Sequence, residues 1–91
     1  MEVFAALADP VRRDILAMLR GGEQPAGAVV IALGVPQPSV SKHLRALREA
    51  GLVRVRVDGP RRLYSLDPGP LAEVDAWLAP YRVFWAERSM P

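Results

Sequence analysis

The sequence predicts a mainly α-helical fold with one β-hairpin, in the order helix, helix, short helix, helix, hairpin, helix. Two patterns favour this fold class. Apolar residues recur at helical spacing, as in PQPSVSKHLRALREAG (residues 36–51), where Val40, Leu44 and Leu47 form one stripe. The segment LVRVRVDG instead alternates apolar and polar residues, as a half-buried strand does. The chain has 91 residues, 51% of them hydrophobic, which predicts a single folded domain over residues 1–91.

The first part of the chain is predicted to form three helices. The second of them begins at Asp9, a favourable N-cap, followed by Pro10, which suits the first helical position. It ends at the following GG dipeptide, and GEQP is predicted to be a loop. A short third helix covers about residues 26–33 and stops at Gly34.

A tight GVPQ connection joins the third helix to the fourth. Gln37 is the predicted N-cap of the fourth helix, Pro38 its first residue and Gly51 the residue that closes it. Two helices joined by a four-residue turn are typical of a helix-turn-helix.

A β-hairpin is predicted directly after the fourth helix. The valines of LVRVRVDG lie on one face of its first strand and the charged residues on the other. DGP forms the turn, and RRLYSL returns as the second strand with Tyr64 and Leu66 facing inward. A hairpin in this position is a wing, so the predicted architecture is a winged helix-turn-helix. The alternative is a small helical bundle with a decorative hairpin, which the strict alternation makes less favoured.

Positive charge is concentrated in one third of the chain. Residues 38–62 contain seven basic and two acidic residues, a net charge of +5, whereas the remainder has five basic and eight acidic residues, a net charge of −3. Such a block is either an ordinary solvated surface or a nucleic-acid interface, and its placement on particular elements decides between them.

Several classes of function are excluded or disfavoured by composition. The chain has no cysteine, which excludes disulfides and thiolate metal sites. It has no apolar run of membrane-spanning length and no basic-then-apolar leader, so we expect a cytoplasmic protein without membrane contact. Ser39 and Ser41 beside the single His43 make a poor catalytic set, and we expect no enzyme.

The fourth helix and the hairpin are the predicted DNA-binding surface. In a helix-turn-helix the second helix enters the major groove, with its apolar stripe turned to the core. The predicted DNA contacts of this helix are Gln37, Ser39, Ser41, Lys42, His43 and Arg45, and those of the hairpin are Arg54, Arg56, Arg61 and Arg62. The alternatives are a solvated amphipathic helix and a hairpin edge protected by charge. His43 is equally compatible with a groove contact and a half-buried packing position.

The terminal helices are the predicted dimer interface. Four of the six aromatic residues lie within nine positions of the last helix, more than a domain this small is expected to cover alone. The predicted interface residues are Val3, Phe4, Leu7, Leu71, Val74, Leu78, Tyr81 and Trp85, with Trp77 and Phe84 widening the stripe. The alternative is that these aromatics close the core of a monomer. Pro80 predicts a kink or break near residues 77–80.

Two segments, ALADPVRRDILAMLR and VPQPSVSKHLRALREAGLVRVRVDGPRRLYSLD, resemble the ArsR family of bacterial winged helix-turn-helix repressors. SVSKHLRALREAGLV is the most specific part of this match. The resemblance implies a homodimer joined through its first and last helices, which binds double-stranded operator DNA and represses transcription, often of its own operon.

The closing segment AWLAPYRVFWAER resembles a subgroup of the family without metal-binding cysteines. Metal-sensing members place a Cys-x-Cys pair in the third helix or Asp/His pairs in the last helix. Here the third helix reads AGAVVIAL and the last helix has no histidine. We therefore expect no metal and no cofactor, whereas a small-molecule inducer is left open.

The leading hypothesis is a sequence-specific DNA-binding transcriptional regulator that acts as a homodimeric repressor, with autoregulation left open. The alternative is a winged-helix protein-interaction module that uses its last helix to hold a partner and does not bind DNA.

Overall fold

The computed structural model describes residues 2–86 of the chain, so the two ends of the predicted domain 1–91 lie outside the described residues. It confirms a mainly helical fold with a hairpin. The elements, in order, are α1 (Val3–Leu7), α2 (Pro10–Leu19), β1 (Gln24–Pro25), α3 (Ala26–Leu33), α4 (Gln37–Glu49), β2 (Val53–Asp58), β3 (Arg61–Leu66), α5 (Leu71–Leu78) and a closing 3-10 helix (Ala79–Phe84).

Capping residues fix the starts of the helices. The Asp9 carboxylate accepts hydrogen bonds from the backbone N–H groups of Val11 (2.8 Å) and Arg12 (3.3 Å), which confirms Asp9 as the N-cap of α2. The prediction of Gln37 as the N-cap of α4 is wrong by one residue. Pro36 holds that position because its carbonyl already accepts the first helical bonds, from the N–H groups of residues 39 and 40.

A glycine turn connects α4 to the wing, as predicted. Gly51 has φ +77°, the left-handed conformation that glycine adopts without strain. Its N–H bonds to the Arg48 carbonyl, and the N–H of Leu52 bonds to the Leu47 carbonyl, each at 3.0 Å. This is a Schellman motif. It turns the chain so that fully buried Leu52 leads directly into β2.

The sheet has three antiparallel strands in the order β1-β3-β2. Val53 pairs with Leu66 and Asp58 with Arg61, which confirms the hairpin. The short strand β1 falls in GEQP, which was predicted to be a loop, and it pairs with residues 63 and 64 of β3. Two residues are too short for alternation to be visible in a sequence, so this strand could be identified only from its partner.

The two faces of the hairpin are covered unequally. Tyr64 and Leu66 are half-buried and pack against the core, as predicted. Val57 is 69% exposed because the wing extends beyond the helices, so the valine face is buried only near its base. Leu63, which was not predicted to be buried, is 6% exposed on the opposite face, where it lies between Pro25 of β1 and Arg56 of β2.

The core lies among α1, α2, α3, α4 and the base of the wing. Its buried members are Val3, Ala6, Ile15, Leu16, Leu19, Val29, Val40, Leu44, Leu47, Leu52 and Val53. All three residues of the predicted α4 stripe belong to it, so α4 is held by one narrow face.

Helix α1 is fastened to α2 by two arginines. The Arg12 guanidinium donates to the carbonyls of Ala6 (2.6 Å) and Ala5 (2.9 Å), and that of Arg13 donates to the Leu7 carbonyl (2.6 Å). A helix of five residues leaves most of its carbonyls without helical partners. These bonds supply partners and fix the direction of α1.

The last helix breaks where Pro80 predicts. The α-helical part ends at Leu78, and the chain continues as a 3-10 helix because proline has no N–H for an α-helical bond. Across residues 2–86, no helix has the length and apolar character needed to cross a membrane.

Candidate nucleic-acid interface

Helix α4 presents two contrasting faces. Val40, Leu44 and Leu47 are at most 1% exposed, whereas Lys42 and Arg45 lie on the solvent side. Of the other predicted contacts on this helix, Gln37 and Ser41 are exposed, and Ser39 and His43 are half-buried. The structure therefore places most of the predicted contacts on one accessible surface.

The cations of α4 have no competing partners in the described part of the chain. The side chains of Lys42, Arg45 and Arg48 form no hydrogen bond or ion pair with residues 2–86, so their donors are available to an external anion. Arg48 was not among the predicted contacts. Its spacing of three residues from Arg45 is the signal that could have identified it.

An open groove continues this cationic surface toward the wing. It has a volume of about 610 Å³, and Arg45, Arg48 and Arg54 surround the edge of β2 at Val53 and Val55. Three guanidinium groups around one groove form a site suited to the phosphates of a nucleic-acid backbone.

The arginines of the wing differ in their partners. Arg54 pairs with Asp67 (2.9 Å), and Arg61 with Asp58 (3.4 Å). Arg56 makes a two-pronged contact with Glu23, at 2.7 and 3.2 Å. Among the wing arginines only Arg62 has no partner within residues 2–86.

The acids in two of these pairs are held ionised. The hydrogen bond from Arg56 lowers the pKa of Glu23 below its usual 4.5. The N–H of Gly69 and the guanidinium of Arg54 lower the pKa of Asp67. Both acids are therefore ionised at neutral pH and able to pair with Arg54 and Arg56, which thus have a partner within the chain that the sequence alone does not indicate.

His43 lies on the side of α4 near the start of α2. Partial burial raises the pKa of Asp9, but the N–H groups of Arg12 and Val11, together with the nearby His43, lower it overall. His43 is half-buried. Half-burial is compatible with both a packing position and a groove contact.

Aromatic side chains gather at the terminal helices. Phe4 and Trp77 meet edge to face with 5.9 Å between ring centroids, and Trp77 and Tyr81 are 5.2 Å apart. Trp77 is 57% exposed and Tyr81 44%. No residue of α5 or of the closing 3-10 helix is buried. We call Phe4, Trp77 and Tyr81 the aromatic face.

The other predicted interface residues occupy different depths. Val3 is a correction, because at 3% exposure it is part of the chain's own core and has almost no surface left for a partner. Leu7, Leu71 and Val74 are half-buried against that core. Leu78, at the end of α5, is also half-buried. Trp85 is 42% exposed.

The described residues contain no group of three or more His, Asp or Glu side chains placed to hold a metal ion. Of the predicted DNA contacts on α4, the exposed ones are the cations Lys42 and Arg45, the Ser41 hydroxyl and the Gln37 amide.

Comparison with known proteins identifies a matching domain family and proteins that are similar in sequence to this chain. A helix-turn-helix domain family matches residues 7–56. The transcriptional repressor SdpR of Bacillus subtilis is 36% identical over 76 residues, which are 84% of this chain and 84% of the repressor. The regulator Rv2034 of Mycobacterium tuberculosis is 46% identical over 69 residues, 76% of this chain and 64% of that regulator. The chain therefore spans less than two thirds of the length of Rv2034.

Solved structures show the same fold. The crystal structure of an ArsR family transcriptional regulator superposes with a TM-score of 0.78 at 32% identity, and the alignment covers 91% of each chain. The fold and the sequence thus point to the same group of proteins.

Proposed function

This chain belongs to the ArsR family of winged helix-turn-helix DNA-binding transcriptional regulators, and we propose that it acts as a homodimeric repressor of transcription. The family resemblance of its sequence motifs is confirmed. We propose that residues 1–91 form one domain, with α4 in the major groove of double-stranded operator DNA and the wing beside it.

The unpaired cationic surface of α4 is the observation that carries this proposal. The helix is anchored by three fully buried residues, while Lys42, Arg45 and Arg48 project from it without partners among the described residues. Gln37 and Ser41 lie in its first turns, where the positive end of the helix dipole favours phosphate. Glutamine and arginine can also form paired hydrogen bonds with base edges.

Arg62 is the proposed DNA contact of the wing. It is exposed near the tip, across the ladder from Val57. Arg54, Arg56 and Arg61 are held by carboxylates. A phosphate or the narrow minor groove can therefore recruit Arg62 without first breaking an ion pair.

The aromatic face is the proposed centre of the dimer interface. Large aromatic residues that remain exposed on a small domain are typical of subunit contacts. A two-fold pairing there would present two copies of α4 to successive major grooves of a near-palindromic site.

The proposal includes three further expectations. We expect the chain to act in the cytoplasm, to carry out no catalysis and to repress its own operon. A small-molecule inducer is compatible with all three.

A DNA-binding titration tests the function. The purified protein is titrated against DNA from the region upstream of the gene that encodes it. Specific binding should exceed binding to random sequence by about a thousandfold or more. It should weaken with salt, with a log–log slope of about −0.9 for each phosphate neutralised. Equal affinity for both DNAs would contradict sequence-specific recognition.

Lys42→Ala and Arg62→Ala test the interface. Each should weaken binding and reduce the salt slope by about one unit per subunit, because one phosphate contact is lost. Arg20→Ala is the matched control, since it removes an exposed arginine that lies on α2 outside this interface. Loss of the dimer in Lys42→Ala or Arg62→Ala would refute their assignment to DNA.

A protein-interaction module is the second candidate, because the exposed aromatic face could hold a different protein. Recovery of one stoichiometric protein partner, with no DNA bound at low salt, would favour this candidate over the repressor.

A further inference from the structure

A second cavity lies among the helices and the base of the wing. It has a volume of about 260 Å³ and is bounded by α1, α2, the end of β3 and the start of α5. Its apolar lining is formed by Leu7, Leu16, Ala17, Leu66 and Leu71. The four leucines belong to the core or pack against it, so this part of the lining is held in place.

Within residues 2–86, Arg13 and Arg20 are the only charged residues that line this cavity. Arg13 lies on α2 and Arg20 is its C-cap, and they flank Leu16 and Ala17 at spacings of three and four residues. No carboxylate of the described residues lines the cavity, so nothing within this lining balances the two positive charges.

The side chains of Arg13 and Arg20 differ in the hydrogen bonds that they already make within the chain. Arg13 donates one hydrogen bond to the Leu7 carbonyl at 2.6 Å, which holds its guanidinium at the rim while other N–H donors are left over. The side chain of Arg20 forms no hydrogen bond or ion pair with residues 2–86. One group is thus fixed and the other is free to close over an anion.

We propose that this cavity binds a small amphipathic carboxylate, with its apolar body against the leucines and its carboxylate at Arg13 and Arg20. Guanidinium groups bind carboxylates through paired, charge-assisted hydrogen bonds. At about 30 Å³ for each water-sized volume, the cavity of about 260 Å³ holds roughly nine such volumes, close to the ten non-hydrogen atoms of octanoate.

The binding site is independent of the proposed repressor function, whereas any effect of its ligand on DNA affinity rests on that function. The cavity joins α1 and α5, which carry the proposed dimer interface, to α2 of the core. A ligand that preferred one arrangement of these helices would shift dimer pairing and, through it, DNA affinity. By linkage, DNA would change the affinity for the ligand by the same factor as the ligand changes the affinity for DNA.

Titration of the full chain with octanoate, followed by NMR of the backbone amides, tests the proposal. Octanoate should shift the amides of Leu16, Ala17, Leu66 and Leu71 in a saturable manner. Octanamide, which has no charge, and acetate, which has almost no apolar body, should bind at least about tenfold more weakly because each lacks half of the interaction.

Two variants distinguish the cavity from nonspecific adsorption. Arg20→Gln should weaken octanoate binding about tenfold, as expected for loss of a charge-assisted bond. Ala17→Leu should abolish binding by filling the cavity. Neither residue belongs to the proposed DNA interface, so DNA binding without octanoate, measured in parallel, reports separately on the repressor proposal.

Equal binding of octanoate and octanamide would overturn the carboxylate assignment. Absence of any octanoate shift, combined with weaker self-association of Ala17→Leu, would identify a second copy of the chain as the occupant and would also overturn it.

Discussion

At the scale of single residues, the partner of each arginine decides its role. Arg12 and Arg13 donate to the carbonyls of α1, and Arg54 and Arg56 are held by carboxylates. Arg62 is left for an external anion. Eleven of the twelve basic residues are arginines, so composition alone identifies a cationic chain but not these separate roles.

The contact between Arg56 and Glu23 shows why the separate roles of the arginines could not be predicted from the sequence. The two residues are 33 positions apart, and they meet only because β1 and β2 flank β3. The pair spans the middle strand above Leu63, and so covers the one buried residue on that side of the sheet. Sequence patterns report spacing along one element and not pairs of this kind.

Glu23→Gln should lower stability at neutral pH but not in acid. The pKa of Glu23 is lowered in the folded chain, so its stabilising contribution is complete above the usual value of 4.5 and is lost as the pH falls through the folded value. Denaturant unfolding of both proteins across this range measures the difference. Arg56→Gln should show the same acid-sensitive loss, because it removes the pair from the other side. A difference that stayed constant with pH would contradict this origin.

Gly51→Ala should lower the free energy of unfolding by about 1–2 kcal/mol, because φ +77° is unfavourable for alanine. Space is not the obstacle, since the added Cβ would meet the Pro70 side chain at an ordinary 3.5 Å. Gly27→Ala, within α3 and with open space around it, is the control and should stabilise by up to about 1 kcal/mol. Thermal or urea unfolding measures both, and equal effects would refute the role of the left-handed turn.

At the scale of elements, local patterns were sufficient for most of the fold. The α4 stripe, the Asp9 cap, the Gly51 turn and the alternation in β2 each depend on neighbouring residues, and each was predicted. The short strand β1 and the burial of Leu63 depend on pairing between distant segments, and neither was predicted. The same holds for the candidate site. Its helix and hairpin were predicted from local patterns, whereas the ion-pair partners of its arginines were not.

Pro80→Ala should convert the closing 3-10 helix into a continuation of α5. An alanine N–H at this position can bond to the Ala76 carbonyl, which proline prevents. Tyr81 would then rotate relative to Trp77, because successive residues advance by a smaller angle in an α-helix. We expect a stronger helical circular dichroism signal and several-fold weaker self-association by sedimentation.

Pro38→Ala provides the control for that change. Pro38 lies in the first turn of α4, where proline replaces no helical hydrogen bond. Its helical signal should therefore be unchanged. An equal increase in both variants would show that Pro80 has no special role in ending α5.

At the scale of the whole molecule, two functional surfaces are kept apart by an elongated shape. The radius of gyration is 15.0 Å, larger than the roughly 12 Å expected for a compact domain of this length, and the longest extent is 49 Å. The cations of α4 and the aromatic face belong to different elements, α4 on one side and α1, α5 and the closing 3-10 helix on the other. In the proposed dimer, pairing through the aromatic face would leave the cations of α4 available to DNA.

Tyr81→Ala should weaken both self-association and operator binding. Loss of pairing leaves each half-site bound separately, which is expected to reduce affinity by about a hundredfold or more. Sedimentation and DNA titration at matched protein concentration measure the two effects. Ile31→Ala is the control, since Ile31 is 85% exposed on α3, outside the aromatic face. Unchanged self-association of Tyr81→Ala would place the dimer interface elsewhere.

The two-residue strand β1 also has a consequence for the order of folding. Its pairing with β3 closes a long loop that contains α3, α4 and β2. Closing this loop costs conformational entropy, and the contacts that offset this cost are two residue pairs and the neighbouring Arg56–Glu23 contact. The helices and the hairpin depend on nearby residues and can form early. We therefore expect the pairing of β1 with β3 to form last during folding and to separate first during unfolding. The wing becomes fully rigid only after this pairing has formed.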